Sequence, residues 1–403
     1  HMITLDGIRQ ARAILQPVVR YTPLDYSTTF SELAENQLYL KLENLQKTGS
    51  FKVRGAYNKI ASLSEEEKAC GVVAASAGNH AQGVAFSSTK AGITSTIVMP
   101  EGAPLSKVQA TQKYGAQVIL HGQSFDEALE RAFEVQKVSG ATFLHPFDDP
   151  RVIEGQGTIG LEVLEQLPDV DAIVCPIGGG GLIAGIAAAI KTLKPHVKVY
   201  GVEAAACASM AASLSQGQPV LVESTGTIAD GIAVKKPGTL TYQLVQKYVD
   251  DVFLAEDIEI SRVMLYLLER SKLLVEGSSA AALVPLLYRR IPLTNKKVAV
   301  ILSGGNVDVT FMSRIIEHGL IESGRYIRIA TTVHDKPGNL NRLLSILAQE
   351  GANVISIHHH RISPRIVPGQ AEVELELETN NRAHIERIEK RLVREGYPVN
   401  ERM

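Results

Sequence analysis

Short apolar runs alternate with longer amphipathic stretches from residue 71 onward. The run "GVVAA" is followed by polar "SAGNH" and the helical pattern "AQGVAFSSTKA", and "TSTIVMP" is followed by the helical pattern "PLSKVQATQKY". The run "AQVIL" then precedes the amphipathic stretch "SFDEALERAFEVQKVSG". Strand, loop and helix recurring at this spacing predict parallel βαβ units.

A second series of the same kind begins at "VDAIVCPIGGGGLIAGIAAAIKTL". It continues with "VKVYGVEA" and ends near "KVAVILSGGN", before one more helix. These strands are continuous apolar runs, as expected for strands whose two faces are both covered by helices. The sequence therefore predicts two α/β modules in about the first 320 residues, with a ligand cleft between them at the carboxyl ends of strands.

The pattern changes near Ser323. A strand in "RYIRIATTVHDKPGNL" runs into a Pro-Gly turn, and an amphipathic helix ("LNRLLSILAQEGAN"), a strand ("VISIHHHRI"), a second strand ("AEVELELET") and a helix ("RAHIERIEKRLVREG") follow. The strict alternation of "AEVELELET" predicts Val373, Leu375 and Leu377 inward and four glutamates outward. This order indicates a βαββαβ, ferredoxin-like unit.

Composition excludes several kinds of partner. The chain has 403 residues, 45% of them hydrophobic, and a formal net charge of −2. So small a net charge does not indicate binding to nucleic acid or to an anionic membrane. No apolar run approaches the ~20 residues that span a bilayer. Cys70, Cys175 and Cys207 have no metal-binding spacing, so we expect reduced, mostly buried thiols, as in the cytoplasm.

The stretch "CPIGGGGLIAG" brings a strand into the start of a helix through Gly178–Gly181. Glycines allow a close backbone approach, and a helix N-terminus offers unpaired N–H groups to a phosphate. A second interpretation fits the same stretch. Gly179, Gly181 and Ala184 satisfy G-x-G-x-x-A, and Glu203 ends the next strand where the ribose-binding acid of a nicotinamide dehydrogenase would stand.

Two more strands are followed by small polar residues at their carboxyl ends, which we call strand exits. In "SAGNHAQG", Ser76, Gly78 and Asn79 suit a carboxylate or phenolate oxygen, although an N-cap and turn explain them as well. The third exit is "LSGGN", Leu302–Asn306. Three such exits on parallel strands point to one cleft. Lys52, in "KTGSFKVRGA", becomes a candidate nucleophile toward the carbonyl of pyridoxal phosphate, against the alternative of a solvated surface lysine.

Together these motifs resemble a known family. The stretches "KTGSFKVRGA", "SAGNHAQG", "GGGGL", "DGIAV", "VEGSSAAAL" and "SGGN" stand in the order seen in pyridoxal-phosphate-dependent threonine and serine dehydratases. The C-terminal "DKPGNL" and "GANV" resemble an ACT domain. The resemblance implies an α/β core of the tryptophan-synthase-β-like fold (fold type II) over residues 2–322, with a small subdomain at about 47–150 inserted in the large one. It also implies an ACT domain at 325–403.

The resemblance also implies roles for single residues. Lys52 forms the internal aldimine and removes the α-proton, and Ser303 faces the pyridine nitrogen. Phe51 packs against the ring and Asn79 bonds its phenolic oxygen. The phosphate is bound by backbone N–H groups of Gly178, Gly179, Gly180, Gly181 and Leu182. The substrate carboxylate lies at Ser76, Ala77, Gly78 and His80. Lys47 and Arg54 receive no role, and solvation is expected for them.

The implied reaction is β-elimination, which deaminates L-threonine to 2-oxobutanoate and ammonia, and L-serine to pyruvate as a secondary activity. A serine dehydratase or racemase is the alternative. Ala77 stands where related serine racemases carry a serine, and alanine cannot deliver or remove a proton, so we expect little racemisation. Ser209 replaces a metal-binding carboxylate of eukaryotic relatives. No divalent metal is therefore expected, although Glu203 and the backbone near Cys207 would still allow a monovalent ion.

For the C-terminal domain the resemblance implies a homo-oligomer, dimer or tetramer, and an amino-acid effector such as isoleucine or valine (or a nucleotide). The implied effector site comprises Asp335, Gly338, Asn339, Leu340 and Asn353. A purely structural dimerisation module is the alternative. His358 and His360 share one strand face, where a polar strand edge is favoured over a metal site. A non-enzymatic amino-acid sensor and an ACT-bearing dehydrogenase remain the competing classes.

Overall fold

The computed structural model describes residues 3–402. It divides into two compact units, one ending at Val307 and the other beginning at Asp308. We expected the boundary after residue 322, but the helix that spans Val309–Glu322 lies with the C-terminal unit. The outer limits of the predicted domains, residues 2 and 403, lie outside the described residues.

The strands in chain order are β1 (Leu24–Ser27), β2 (Gln37–Leu42), β3 (Val72–Ala75), β4 (Ser95–Met99), β5 (Gln117–Leu120), β6 (Thr142–Phe143), β7 (Ala172–Pro176), β8 (Lys198–Ala204), β9 (Asp251–Ala255), β10 (Lys297–Leu302), β11 (Tyr326–His334), β12 (Asn353–His360), β13 (Gln370–Glu378) and β14 (Asn400–Glu401).

The α-helices of the described residues are α1 (Leu5–Leu15), α2 (Thr28–Ala34), α3 (Lys52–Ala61), α4 (Glu65–Cys70), α5 (Asn79–Lys90), α6 (Leu105–Lys113), α7 (Phe125–Ser139), α8 (Pro150–Gln166), α9 (Gly181–Leu193), α10 (Ser209–Gln216), α11 (Thr239–Tyr248), α12 (Asp257–Ser271), α13 (Gly277–Ala280), α14 (Val284–Leu287), α15 (Val309–Glu322), α16 (Asn339–Gln349) and α17 (Arg382–Arg394). No helix within residues 3–402 combines the length and the apolar character that a membrane span needs.

The strands of residues 3–307 form two sheets. The six-stranded sheet has the order β1-β2-β10-β7-β8-β9, and the four-stranded sheet has the order β5-β4-β3-β6. All neighbours are parallel except β1 and β2. The parallel βαβ units predicted from the apolar runs are therefore confirmed. The chain leaves the large sheet after β2, builds the small sheet and returns to the large sheet at β7.

Helix α3 is held close to helix α8 by a glycine. A methyl group on Gly155 of α8 would lie 2.6 Å from the carbonyl oxygen of Arg54 in α3, closer than real Cβ contacts come. Glycine therefore allows the two helix backbones to touch. Strand β7, buried at all its positions, lies in the core on which α8 and α9 pack. This packing fixes the start of α3, where Lys52 stands, relative to the large sheet.

The C-terminal unit contains the predicted βαββαβ order. Its antiparallel sheet has the strand order β12-β13-β11-β14, with α16 and α17 as the two crossover helices. Val373, Leu375 and Leu377 are buried as expected. The four glutamates of β13 differ in their exposure. Glu372 is buried because Arg402 pairs with it, and Glu376 is half-buried beside Arg328.

Candidate active site

The exit of β10 and the start of α3 are joined by backbone hydrogen bonds. The Phe51 N–H donates to the Ser303 carbonyl at 3.0 Å, and Ser50 forms an isolated bridge with Gly304. Phe51 is the N-cap residue of α3 and Lys52 is its first residue. The structure therefore brings two of the stretches that the sequence singled out, "KTGSFKVRGA" and "LSGGN", to one place.

Lys52 lies in an environment that weakens its charge. Burial lowers the pKa of Lys52 to about 8, although the charge of Glu276 acts in the opposite direction. The ammonium group donates to the Pro146 carbonyl at 3.0 Å and lies 5.4 Å from the centroid of the Phe51 ring. A lysine with a pKa near 8 is partly neutral near pH 7, and only the neutral amine can attack a carbonyl or accept a proton.

The glycine loop presents unpaired donors at the start of a long helix. Within residues 3–402, the N–H groups of Gly178, Gly179 and Gly180 have no acceptor. The carbonyl of Gly179, by contrast, is held by the hydroxyl of Thr241 at 2.6 Å. The loop leads directly into the 13-residue helix α9. Free N–H groups at a helix N-terminus form an anion site, so the loop fits a phosphate group.

A segment that the sequence did not single out, residues 145–149, connects the lysine to the glycine loop. Its Pro146 carbonyl accepts the bond from Lys52. The next residue, Phe147, packs so closely that a methyl group on Gly179 would lie 2.2 Å from its ring. The carboxylate of Asp148 accepts three N–H groups at the start of α11 at 3.0–3.2 Å. This segment also follows a parallel strand, β6, but its sequence, LHPFDD, lacks the glycines and small polar residues that marked the other three exits.

The exit of β3 combines a turn cap with open space. The Ser76 hydroxyl accepts N–H groups from Gly78 and Ala81 at 3.1 Å, so this serine does cap the turn, as the alternative interpretation held. A methyl group on Gly78 would meet no atom within 4 Å. Space for a ligand therefore lies beside this turn. Ala77, in the same turn, is half-buried.

The next two residues of this exit, Asn79 and His80, begin helix α5, which packs against the start of α3 at Lys52. A methyl group on Gly83 would lie 3.3 Å from the Cβ of Lys52, which shows how closely α5 and α3 pack. The ring of His80 is buried, with Nε2 2.9 Å from the Leu144 carbonyl. Burial, and then the charge of Lys52, lower the pKa of His80 to about 3. His80 is therefore a neutral imidazole that donates to a backbone oxygen.

Asn79 is held by two residues to which the sequence assigned no role. Its Nδ2 donates to both carboxylate oxygens of Glu276, at 2.8 and 3.1 Å, and its Oδ1 accepts from the Nδ2 of Asn306 at 2.8 Å. Glu276 lies in "VEGSSAAAL" and Asn306 ends "LSGGN". Both motifs were recognised, so the signal was present. Their spatial contact with Asn79 was not visible in the sequence.

Two interpretations from the sequence are corrected near the site. Arg54 is not solvated: it is fully buried and pairs with Glu43 and Glu162. Glu203, the ribose-binding acid of the dehydrogenase interpretation, lies near the end of β8 and has a structural partner instead. Its two carboxylate oxygens accept the N–H groups of Met210 and Ala211, which places it as the cap of α10.

The cysteines are unpaired, and two of the three are buried. Cys175 and Cys207 are buried, as expected, whereas Cys70 is exposed. His358 and His360 lie with parallel rings whose centroids are 6.3 Å apart. No metal-binding group of three His, Cys, Asp or Glu residues occurs in the part of the chain that the structure describes. The metal hypothesis for these histidines therefore gains no support.

The implied effector residues lie around the turn between β11 and α16. Asp335 pairs with Arg361 at 3.1 Å, and the amide of Asn339 donates to a backbone carbonyl at 2.9 Å. Gly338 has a φ of 89°, and Leu340 packs at the edge of the C-terminal core. Asn353 is the first residue of β12 and is exposed. These residues stay a predicted site.

Known proteins resemble the whole chain. The family model described as "Pyridoxal-phosphate dependent enzyme" matches residues 15–304. The L-threonine ammonia-lyase of Thermotoga maritima is 54% identical over 398 residues, 99% of this chain and 99% of that enzyme.

Solved structures resemble the core. The threonine deaminase isoform 2 of Solanum lycopersicum is 37% identical, with a TM-score of 0.73, over 77% of this chain and 93% of that one. Maize serine racemase is also 37% identical, with a TM-score of 0.75, over 80% of this chain and 99% of that one. These matches agree with the half-buried lysine and the glycine loop. The chain belongs to the family of pyridoxal-phosphate-dependent enzymes, with the fold-type-II core.

Proposed function

We propose that the protein is a threonine ammonia-lyase, which converts L-threonine to 2-oxobutanoate and ammonia and acts on L-serine as a second substrate. The observation that carries the proposal is Lys52, a half-buried lysine whose pKa is lowered to about 8 and which is joined through Pro146 and Phe147 to a glycine loop with free N–H donors. The identity of 54% over the full length to an L-threonine ammonia-lyase supports this choice of reaction.

Each part of the site has a distinct task in this proposal. The N–H groups of Gly178–Leu182 bind the cofactor phosphate, and Phe51, Asn79 and Ser303 hold its ring. Pyridoxal phosphate, when bound, supplies an electron sink for the charge left at the α-carbon of the substrate. Lys52 would hold the cofactor through its side-chain nitrogen. Its neutral amine would accept the α-proton of the substrate.

The substrate carboxylate binds at the exit of β3 in this proposal. Ser76, Ala77, Gly78 and His80 surround it, and the open space beside Gly78 supports this position. A neutral His80 stays a hydrogen-bond donor and does not exchange protons at physiological pH. Ala77 offers no proton on the side where racemases need one. Elimination is therefore favoured over racemisation, which separates this chain from its serine racemase neighbours.

We infer that the C-terminal unit is an ACT domain that regulates the enzyme. The βαββαβ order and the turn at residues 335–340 support this assignment. An amino acid such as isoleucine or valine would bind near Asp335, Gly338, Asn339, Leu340 and Asn353, in a homodimer or homotetramer. The three unpaired cysteines support a reducing compartment such as the cytoplasm.

The catalytic proposal is tested with the purified, cofactor-loaded protein. Formation of 2-oxobutanoate from L-threonine, pyruvate from L-serine and D-serine from L-serine is measured for the native chain, Lys52→Ala and Lys47→Ala. We expect Lys52→Ala to lose colour and activity. Lys47→Ala, in the same stretch but half-exposed, should keep both. Interconversion of serine enantiomers as fast as threonine deamination would overturn the proposal, as would a colourless native protein that binds NAD.

The regulatory proposal is tested with isoleucine and valine. Asp335→Asn should weaken the response of activity to the effector. Glu378→Gln, an exposed change on β13 of the same unit, should leave that response unchanged. If neither amino acid changes the activity of the native protein, the unit is not an effector domain for branched amino acids.

A further inference from the structure

Thr241 is a fully buried residue of α11 whose hydroxyl bonds to the glycine loop. Its Oγ1 lies 2.6 Å from the Gly179 carbonyl oxygen and 3.2 Å from that of Gly238, the N-cap residue of α11. A hydroxyl has one proton to donate, and the shorter distance assigns it to Gly179. The bond therefore joins α11 to a loop 62 positions away along the chain, which a cap of its own helix would not do.

The bond to the Gly179 carbonyl also determines where the next N–H group points. The carbonyl of Gly179 and the N–H of Gly180 belong to one planar trans peptide unit, in which the two groups point in opposite directions. Because the carbonyl is turned toward Thr241, the N–H of Gly180 is turned away from it, and within residues 3–402 this N–H has no acceptor. It is one of the free donors at the start of α9 that fit a phosphate group.

This peptide unit needs a restraint because a glycine stands on each side of it. Gly180 has a φ of 99°, and the freedom that lets glycine adopt such a conformation also lets the peptide unit rotate at low cost. No backbone N–H of residues 3–402 donates to the Gly179 carbonyl, so the hydroxyl of Thr241 is the group that holds it. The contact is close, since a methyl group on Gly180 would lie 3.0 Å from the Cβ of Thr241.

Thr241 is itself held in place by Asp148. The Oδ1 of Asp148 accepts the N–H of Thr241 at 3.1 Å and that of Leu240 at 3.0 Å. The residue before Asp148 is Phe147, whose ring packs on Gly179. One short segment therefore fixes the residue that donates the hydroxyl proton and contacts the residue that accepts it.

We propose that Thr241 is a positioning residue whose hydroxyl holds the Gly179 carbonyl and so directs the Gly180 N–H toward the cofactor phosphate. The inference rests on the phosphate-binding part of the proposed function and is independent of the substrate. Gly179→Ala, which crowds the loop against Phe147, is therefore measured in parallel. Loss of cofactor affinity in Gly179→Ala without loss in Thr241→Val would overturn this inference alone. No loss in either variant would overturn the phosphate assignment as well.

The experiment measures the affinity of the full chain for pyridoxal phosphate by equilibrium titration of the visible absorbance. Thr241→Val keeps the shape of the side chain and removes the hydroxyl, so we expect the affinity to fall by about tenfold, as for the loss of one hydrogen bond to a charged group. Thr241→Ser keeps the hydroxyl and should restore most of the affinity. Thr111→Val is the matched control, because Thr111 is also buried and donates to a backbone carbonyl, that of Lys107, at 2.9 Å. It should leave the affinity unchanged.

A second readout separates positioning from a general loss of structure. The phosphorus NMR resonance of the bound cofactor, recorded at saturating pyridoxal phosphate, reports the hydrogen bonds to the phosphate. It should move toward the resonance of the free cofactor in Thr241→Val and keep its native position in Thr241→Ser and Thr111→Val. The proposal is overturned if Thr241→Val has native affinity or an unchanged resonance, if Thr241→Ser binds as weakly as Thr241→Val, or if Thr111→Val loses as much affinity.

Hydrogen exchange in the native chain covers the case in which Thr241→Val does not fold. Pyridoxal phosphate should slow the exchange of the Gly180 N–H, read by mass spectrometry of fragments that end within the glycine loop. A rate at Gly180 that the cofactor does not change would show that this N–H is not directed toward the phosphate, and it would overturn the proposal without any variant.

Discussion

Replacing Arg54 tests a buried quartet of charged residues next to the active site, since Arg54 follows Lys52 by two positions in α3. The quartet consists of Lys41, Glu43, Arg54 and Glu162, all at most 6% exposed in their side chains. The guanidinium donates from Nε and Nη2 to Glu43 at 2.6 and 3.0 Å, and from both Nη atoms to Glu162. Nη1 also donates to the hydroxyl of Thr158 at 3.1 Å. These bonds tie α3 to Glu43, which directly follows β2, and to α8.

The expected loss of stability in Arg54→Met follows from the balance of charges in the quartet. Two carboxylates face two cations in the native quartet, and Arg54→Met leaves both carboxylates facing Lys41 alone. Methionine fills most of the space of the arginine stem, so the cost is mainly the uncompensated buried charge. Removing one partner of a buried ion pair costs about 3–5 kcal/mol. We therefore expect the free energy of unfolding to fall by about that amount.

Urea denaturation followed by far-UV circular dichroism measures the loss, since the chain contains no Trp. The double variant Arg54→Met/Glu43→Gln restores the charge balance and should be more stable than Arg54→Met alone, with a coupling of about 0.5–3 kcal/mol. Lys59→Met is the matched control, because Lys59 pairs with Asp149 near the surface on the same helix. Its cost should stay below about 1 kcal/mol. A loss in Arg54→Met no larger than in Lys59→Met would refute the reasoning, as would a double variant less stable than the single one.

Three further changes give separate readouts. Gly179→Ala places a methyl group 2.2 Å from the ring of Phe147, and we expect cofactor affinity, measured by equilibrium titration, to fall at least about tenfold; Gly102→Ala, which meets no atom within 4 Å, should have no effect. Glu203 has a folded pKa of about 7 against an ordinary 4.5, so its folded state binds the extra proton and stability falls as pH rises through this window. Glu203→Gln should remove this contribution to the pH dependence of the free energy of unfolding, at most roughly 3 kcal/mol, as measured by urea denaturation at a series of pH values. Asp148→Ala removes the cap of three N–H groups at the start of α11 and should cost about 1 kcal/mol in the same assay.

The parallel sheets were predictable because burial on both faces leaves a continuous apolar run. Strand β7 shows this directly, since all its positions are buried and its sequence is apolar throughout. The glycine loop was predictable for a similar reason, because four consecutive glycines between a strand and a helix have few uses other than close approach. Local sequence was sufficient where one element alone determines the feature.

The contacts of Asn79 were not predictable from local sequence. Its partner Glu276 is 197 positions away along the chain, in a motif whose order was recognised but whose role was left open. The same limit applies to the burial of Glu372 in "AEVELELET". Alternation correctly assigned the inward valine and leucines, but the ion pair of Glu372 is made with Arg402, which directly follows β14.

Lys52 and Arg54 show most clearly what the sequence lacks. They stand two positions apart at the start of one helix, where Arg54 is fully buried and Lys52 is half-buried. Burial works against both charges, yet Glu43 and Glu162 raise the pKa of Arg54, whereas burial lowers the pKa of Lys52 to about 8 with only Glu276 opposing it. The number of carboxylates that face each cation decides the outcome. One basic residue is therefore a permanent structural charge, and its neighbour is an amine that can lose its proton, which the chemistry of a cofactor-binding lysine requires.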